Sequence, residues 1–190
     1  MNYSAVFHEL ETARLLLRRQ RLDDAESYHR ELSRNPEVAK HMRWKATDDI
    51  SRTRANVKAW VAQYEDPHFF RWILEKKEDC ALIGVIQLVR LQPEQDTCSF
   101  AYMLGEDHWR RGYMTEALVR VFSFAFEELS LSSLTADHFT ENPASGRVMQ
   151  KAGMTFTGYA EDHSDPEQGL RLLACYRITR EEFLCSRLLV

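Results

Sequence analysis

His108-Trp109-Arg110-Arg111-Gly112-Tyr113-Met114-Thr115-Glu116-Ala117 joins the end of an alternating strand pattern to the start of the clearest amphipathic helix in the chain. A strand-loop-helix junction aims unpaired backbone N–H groups, and the positive end of the helix dipole, at whatever lies in front of it. Gly112 can take a positive φ and let the backbone approach a ligand, while Arg110 and Arg111 can add charge-assisted hydrogen bonds to a diphosphate. An ordinary turn glycine beside a solvated arginine pair accounts for the same residues, so the loop alone leaves both readings open.

The pattern on either side sets the fold. After the loop, Met114, Ala117, Leu118, Val121, Phe122, Ala125 and Leu129 recur at steps of three and four, a helix with one apolar face. Before it, Cys98, Phe100, Tyr102 and Leu104 alternate with Thr97, Ser99, Ala101 and Met103, which predicts a strand over 97–104. Strands at 69–74 and 81–90 precede it, separated by charged turns, and the three read as an antiparallel meander. Further upstream lie a first strand at 15–18 and helical segments at 23–32, 36–42 and 48–64. Downstream, strands at 134–139, 155–159 and 169–178 alternate with helices at 142–152 and 180–187. Asn142 suits an N-cap, Pro143 the first helical position and Gly153 the left-handed residue after the end. No repeat or linker interrupts this order, which predicts one mixed α/β (α+β) domain over 1–190.

Composition narrows the function. With 44% hydrophobic and 28% charged residues, 190 residues can bury a core without a metal or disulfide staple. A net charge of −4 gives no reason to expect direct nucleic-acid binding, which needs a concentrated basic surface. The longest apolar runs, 81–89 and 119–126, are shorter than the roughly 20 residues that cross a bilayer. Residues 1–9 lack the basic start and apolar core of a secretory signal, so a cytoplasmic location is expected. Cys80, Cys98, Cys175 and Cys185 form no CxxC pair and no metal-ligand spacing with histidine, so no metal is expected.

Three separated motifs carry a family resemblance. Trp-Arg-Arg-Gly-Tyr-Met-Thr-Glu-Ala at 109–117 resembles the acetyl-CoA pyrophosphate loop of GNAT acyltransferases. The opening Leu10-Glu11-Thr12-Ala13-Arg14-Leu15, and Asn142-Pro143-Ala144-Ser145 followed by Lys151-Ala152-Gly153-Met154, resemble the branch of ribosomal-protein-alanine N-acetyltransferases. Trp109 and Met114 are familiar variants of the loop in that branch. Arg110 is a departure, because it occupies a place where the pattern usually has Gly.

The resemblance implies a single GNAT-like domain, a mixed but mostly antiparallel sheet with helices on both faces, and direct transfer of acetyl from acetyl-CoA to a primary amine. The strand ending Tyr102-Met103-Leu104 would splay from the strand at 134–139 and expose backbone groups to the pantetheine arm and the thioester carbonyl. Arg110, Arg111, Gly112, Tyr113, Met114 and Thr115 would carry the pyrophosphate, and Asn142 and Ser145 would lie beside the pantetheine. Glu161 would take the amine proton, with His138 and Asp107 as alternatives. Ser145 would serve the departing thiol, since the helix from Asn142 has no tyrosine. The acceptor, a protein N-terminal residue or a small-molecule amine, would be shaped by 23–64 and by the acidic stretch 159–169. There Glu161, Asp162, Asp165 and Glu167 would attract a cation. A competing expectation is a non-catalytic acyl-CoA-binding or interaction domain on the same fold. Homodimerisation is left open.

Overall fold

The computed structural model describes residues 7–92, 94–164 and 169–188. Its frame is one eight-stranded sheet: β1 (Leu10–Glu11), β2 (Leu15–Arg18), β3 (Arg71–Lys76), β4 (Leu82–Gln92), β5 (Thr97–Leu104), β6 (Ser133–Phe139), β7 (Thr155–Asp162) and β8 (Arg171–Thr179). The order across the sheet is β1-β2-β3-β4-β5-β6-β8-β7. Every neighbouring pair is antiparallel except β5 and β6. Three helices precede the meander, α1 (Ala25–Tyr28), α2 (Pro36–Ala39) and α3 (Ile50–Ala62). Three follow it, α4 (Tyr113–Ser123), α5 (Pro143–Lys151) and α6 (Arg180–Leu188).

The strand period of two divides the apolar side chains between two faces. On one face, Phe70, Trp72 and Leu74 join Phe100, Leu134 and Tyr176 beneath α4, α5 and α6, which contribute Leu118, Phe122, Met149 and Phe183. On the other, Ile73, Leu82 and Val85 meet Tyr28, Leu32 and Val38 from the first helical region. Helices therefore cover both faces. Trp72 is fully buried in the larger core, while Trp44 and Trp60 pack against the smaller one.

The sequence pattern misplaces a few ends. β1 is only two residues long, too short for a periodicity signal. The strand expected at 155–159 runs on to Asp162, because Ala160, Glu161 and Asp162 pair with Leu173, Leu172 and Arg171 across a bulge after Phe156. Glu161 therefore belongs to a strand and not to a loop. The helix expected at 48–64 closes as a 3-10 turn over Gln63–Glu65.

A buried ion network ties the N-terminal strand to the helices. Arg18 in β2 donates to both carboxylate oxygens of Asp24, at 2.7 and 2.8 Å, and to Glu75 in β3 at 2.5 Å. The Arg18 side chain is 4% exposed. Removing one member of a buried ionic group strands its partners in a low dielectric. Arg18→Met is therefore expected to destabilise the fold by about 3–5 kcal/mol, measured by urea unfolding. A loss below about 1 kcal/mol would mean that water screens the network.

Candidate active site

Among the described residues the β5–β6 pair is the one parallel junction, and it is short. Its partners are Thr97 with Ser133, Cys98 with Leu134, and Ser99 with Thr135. β5 nevertheless runs to Leu104 and β6 to Phe139, each held on its far side, by β4 and β8 respectively. Past Ser99 and Thr135 the two strands separate. Residues 100–104 and 136–139 thus turn unpaired backbone edges toward a gap, where N–H and C=O groups need other partners. This is the splay expected at Tyr102-Met103-Leu104.

Two helix N-termini flank the open end of that gap, because β5 leads into α4 and β6 into α5. Gly112 caps α4 at φ +79°, and Arg110 two residues earlier takes φ +61°. Arg110 thus adopts a left-handed backbone at the position where its side chain breaks the family pattern, a conformation costing a non-glycine residue about 1–2 kcal/mol. The first helical bond of α4 runs from the Glu116 N–H to the Gly112 carbonyl, at 3.0 Å. The N–H groups of Tyr113, Met114 and Thr115 fall in the first turn, before any carbonyl that the helix can offer them. Tyr113 and Met114 bury their side chains, so only their backbone can serve a ligand. Arg110 and Arg111 are exposed. Trp109 anchors the loop by donating its indole N–H to the Leu104 carbonyl at 2.8 Å.

The loop is also clamped from a distance in sequence. Glu116 accepts from Thr12 Oγ1 at 2.5 Å and from the Arg14 N–H at 2.9 Å on one oxygen, and from Arg14 Nε at 2.7 Å on the other. The Arg14 guanidinium also donates to the Arg111 carbonyl at 3.0 Å and lies 4.4 Å from the centre of the Tyr113 ring. Thr12 and Arg14 belong to the opening motif and Glu116 to the loop motif. The structure thus joins two stretches that sequence reading kept apart.

On α5, Asn142 accepts from the Ser145 N–H at 3.3 Å, the expected cap, with Pro143 in the first turn. Ser145 faces β5, where the Tyr102 hydroxyl lies 2.7 Å from Ser145 Oγ and 3.1 Å from the Ser145 carbonyl oxygen. The helix lacks a tyrosine, but a phenol reaches its first turn from the opposite wall of the gap.

Glu161 sits apart from these groups. β7 lies two strands from β6, roughly 10 Å at ordinary strand spacing. The Glu161 carboxylate is largely exposed beside His163 at 3.1 Å. Asp107 is exposed in the turn before the loop. His138 stacks on Tyr176 with Nδ1 2.8 Å from the Phe139 carbonyl, and its Nε2 is buried against Gly146. The carboxylate nearest the gap in strand order is Asp137 on β6, two residues past the last β5 pair, on the face that carries Thr135. Arg43, in the connection from α2 to α3, pairs with Asp137 at 3.2 Å and with Asp162 at 3.0 Å. Asp162, expected in the acidic stretch, therefore shares the single charge of Arg43 with Asp137, while Asp165 and Glu167 lie outside the described residues. Sequence reading missed Asp137 and Arg43, since neither stands in a motif; only the alternation along 133–139 could have placed Asp137 opposite the core face.

No group of three or more His, Cys, Asp or Glu side chains among the described residues could hold a metal ion. No helix among them is long and apolar enough to cross a membrane.

Burial would raise the Glu116 pKa, but hydrogen bonds from Thr12 and Arg14 and the Arg14 charge outweigh it and hold the group below its ordinary value of 4.5. A carboxylate with a depressed folded pKa adds stability above its unfolded pKa and loses it as pH falls through the folded value. Wild type should therefore lose stability below pH 4.5 more steeply than Glu116→Gln. Melting curves between pH 3 and 7 measure the difference, and parallel profiles would remove the clamp from the account.

The family model described as an acetyltransferase (GNAT) domain matches residues 14–155. The uncharacterised N-acetyltransferase YoaA of Bacillus subtilis (strain 168) is 31% identical over 153 residues, 80% of this chain and 86% of that protein. Among solved structures, a candidate ribosomal-protein-serine acetyltransferase from Vibrio cholerae superposes with a TM-score of 0.80 at 18% identity, over 94% of this chain and 99% of that one. A spermidine N-acetyltransferase from Vibrio cholerae, solved with CoA and spermine, superposes at 0.76 and 16% identity, over 91% and 99%. At these identities the two structures bear on the fold alone.

Proposed function

Because the chain belongs to the GNAT acetyltransferase family, we propose that it transfers acetyl from acetyl-CoA to a primary amine, within a ternary complex of enzyme and both substrates. The observation that carries this reading is the pair of left-handed residues, Arg110 and Gly112, before α4 and at the open end of the β5–β6 gap. That arrangement offers the free N–H groups of a helix N-terminus and two arginines to a diphosphate, beside a slot lined by backbone donors. The backbone of Tyr102, Met103 and Leu104 would polarise the thioester carbonyl, a preorganised donor set where negative charge develops. Asn142 and Ser145 would line the opposite wall.

An attacking amine must be neutral, and a lysine-like ammonium has a pKa near 10.4, so a proton must leave. Glu161 and Asp137 are the carboxylates proposed to receive it, through water. Asp137 has the better claim by position, since its own strand borders the gap. The acceptor is a protein N-terminal residue or a small-molecule amine entering between the first helical region and the outer strands, and the same surface would accommodate either. A cytoplasmic location and a homodimer are compatible with this reading. A non-catalytic acyl-CoA-binding domain is the competing function.

Acetyl-CoA at about 100 times its Kd should stabilise the protein by roughly 2.7 kcal/mol, read as a rise in melting temperature. Gly112→Val should abolish that rise while costing only about 1–2 kcal/mol of stability, since the added Cβ meets nothing closer than Arg14 at 3.5 Å and the penalty is the positive φ. An amine and peptide panel then separates the two functions: turnover excludes the non-catalytic domain, and binding without turnover supports it. With an accepted amine, Asp137→Asn should lower kcat more than Glu161→Gln, and the reverse order would return the base to β7.

A further inference from the structure

We infer that Tyr102 is a positioning residue for acetyl transfer, its hydroxyl aiming the Ser145 hydroxyl at the sulfur of the departing thiol. This rests on the function proposed above and adds to it a residue whose side chain that reading leaves idle. The Tyr102–Ser145 contact crosses the gap beyond the last β5–β6 pair, linking a strand of one half of the sheet to a helix of the other. The Tyr102 ring is fixed by stacking on Phe100, with centroids 6.1 Å apart and planes at 19°. Its hydroxyl thus arrives at Ser145 on a rigid support.

Serine in a first helical turn readily bonds back to nearby backbone. The Tyr102 hydroxyl reaches both the Ser145 carbonyl oxygen, at 3.1 Å, and Ser145 Oγ, at the shorter 2.7 Å; its proton, given to Oγ, occupies a serine lone pair and leaves the serine its own proton to point into the gap. Burial pushes the phenol pKa above its ordinary value, against the lowering effect of its bond to Ser145, so Tyr102 carries its proton near pH 7 and can donate. That favours a hydrogen bond over a full proton transfer. In the reaction, the neutral amine nitrogen bonds to the acetyl carbon and gives its proton to a carboxylate or to water. The C–S bond then breaks and the electron pair stays on sulfur. The Ser145 O–H holds the thiolate, whose ordinary pKa near 8.5 lets it leave without an acid and take a proton later from solvent. A donor to a developing anion is stronger in the transition state than toward the neutral thioester, so its effect appears in kcat and not in ground-state binding.

The test is a double-mutant cycle on kcat, with acetyl-CoA Kd measured calorimetrically for each protein. Tyr102→Phe keeps the stacked ring and removes only the hydroxyl, and its melting temperature checks the fold. Ser145→Ala is expected to lower kcat by roughly 10²-fold and Tyr102→Phe by about tenfold, each with Kd changed by less than about twofold. The double variant should be no slower than Ser145→Ala alone, because the tyrosine acts through the serine. Losses that multiply would overturn the inference, as would a Tyr102→Phe protein with weakened Kd and unchanged kcat. A wild-type protein that turns over no amine would instead remove the proposed function, a failure visible before any variant is made.

Discussion

The carboxylate of Glu116 is the point at which the N-terminal segment, the loop and α4 are held together. It lies in the first turn of α4, where a negative charge favours the positive end of the helix dipole. It also receives Thr12 and Arg14, about a hundred residues earlier in the chain. Arg14 in turn holds the Arg111 carbonyl, between the two left-handed residues that shape the loop. A left-handed arginine is a strained choice, and strain of this kind persists only where the surroundings over-determine the backbone. The clamp, the Trp109 anchor on Leu104 and the packing of Tyr113 supply that determination. The loop conformation is thus set by contacts within the chain, so that binding a ligand there would have little ordering left to do.

The gap between β5 and β6 is the second element of the site, and it follows from the same connection. A parallel pair needs a crossover, here through α4, and the loop that begins that crossover stands where the strands diverge. Pairing through Ser99 and Thr135 fixes the register, and the hydroxyls of those two residues are 2.8 Å apart at the last pair. Beyond that point, side chains replace the ladder. Tyr102 reaches Ser145 across the gap, and Arg43 joins Asp137 to Asp162 on the face of the first helical region. One face of the gap is therefore lined by hydroxyl groups and the other by charge.

Much of this was legible in the sequence for identifiable reasons. The strand at 97–104 and the helix after Gly112 have long, regular periods, and the cap residues of α5 have specific backbone preferences, so their limits were readable. The positive φ of Gly112 was readable because few residues take that conformation without cost. Glu161 was read as lying just past a strand at 155–159; in the structure that strand bulges between Phe156 and Gly158 and continues to Asp162. The three-body pairing of Arg43 with Asp137 and Asp162 joins segments 94 and 119 residues apart, and single-chain periodicity carries no information about such pairs. Nor did it reveal the Tyr102–Ser145 contact, because Tyr102 reads only as one apolar member of an alternating strand.

A clamped, left-handed loop is proposed to recognise a diphosphate. The measurement that tests it most directly compares the affinities of acetyl-CoA and of acetyl-pantetheine, which lacks the diphosphate, for wild type and for Glu116→Ala. The account predicts that releasing the clamp weakens acetyl-CoA toward the affinity of acetyl-pantetheine and leaves acetyl-pantetheine unchanged. Equal weakening of both ligands, or no change in either, would contradict it.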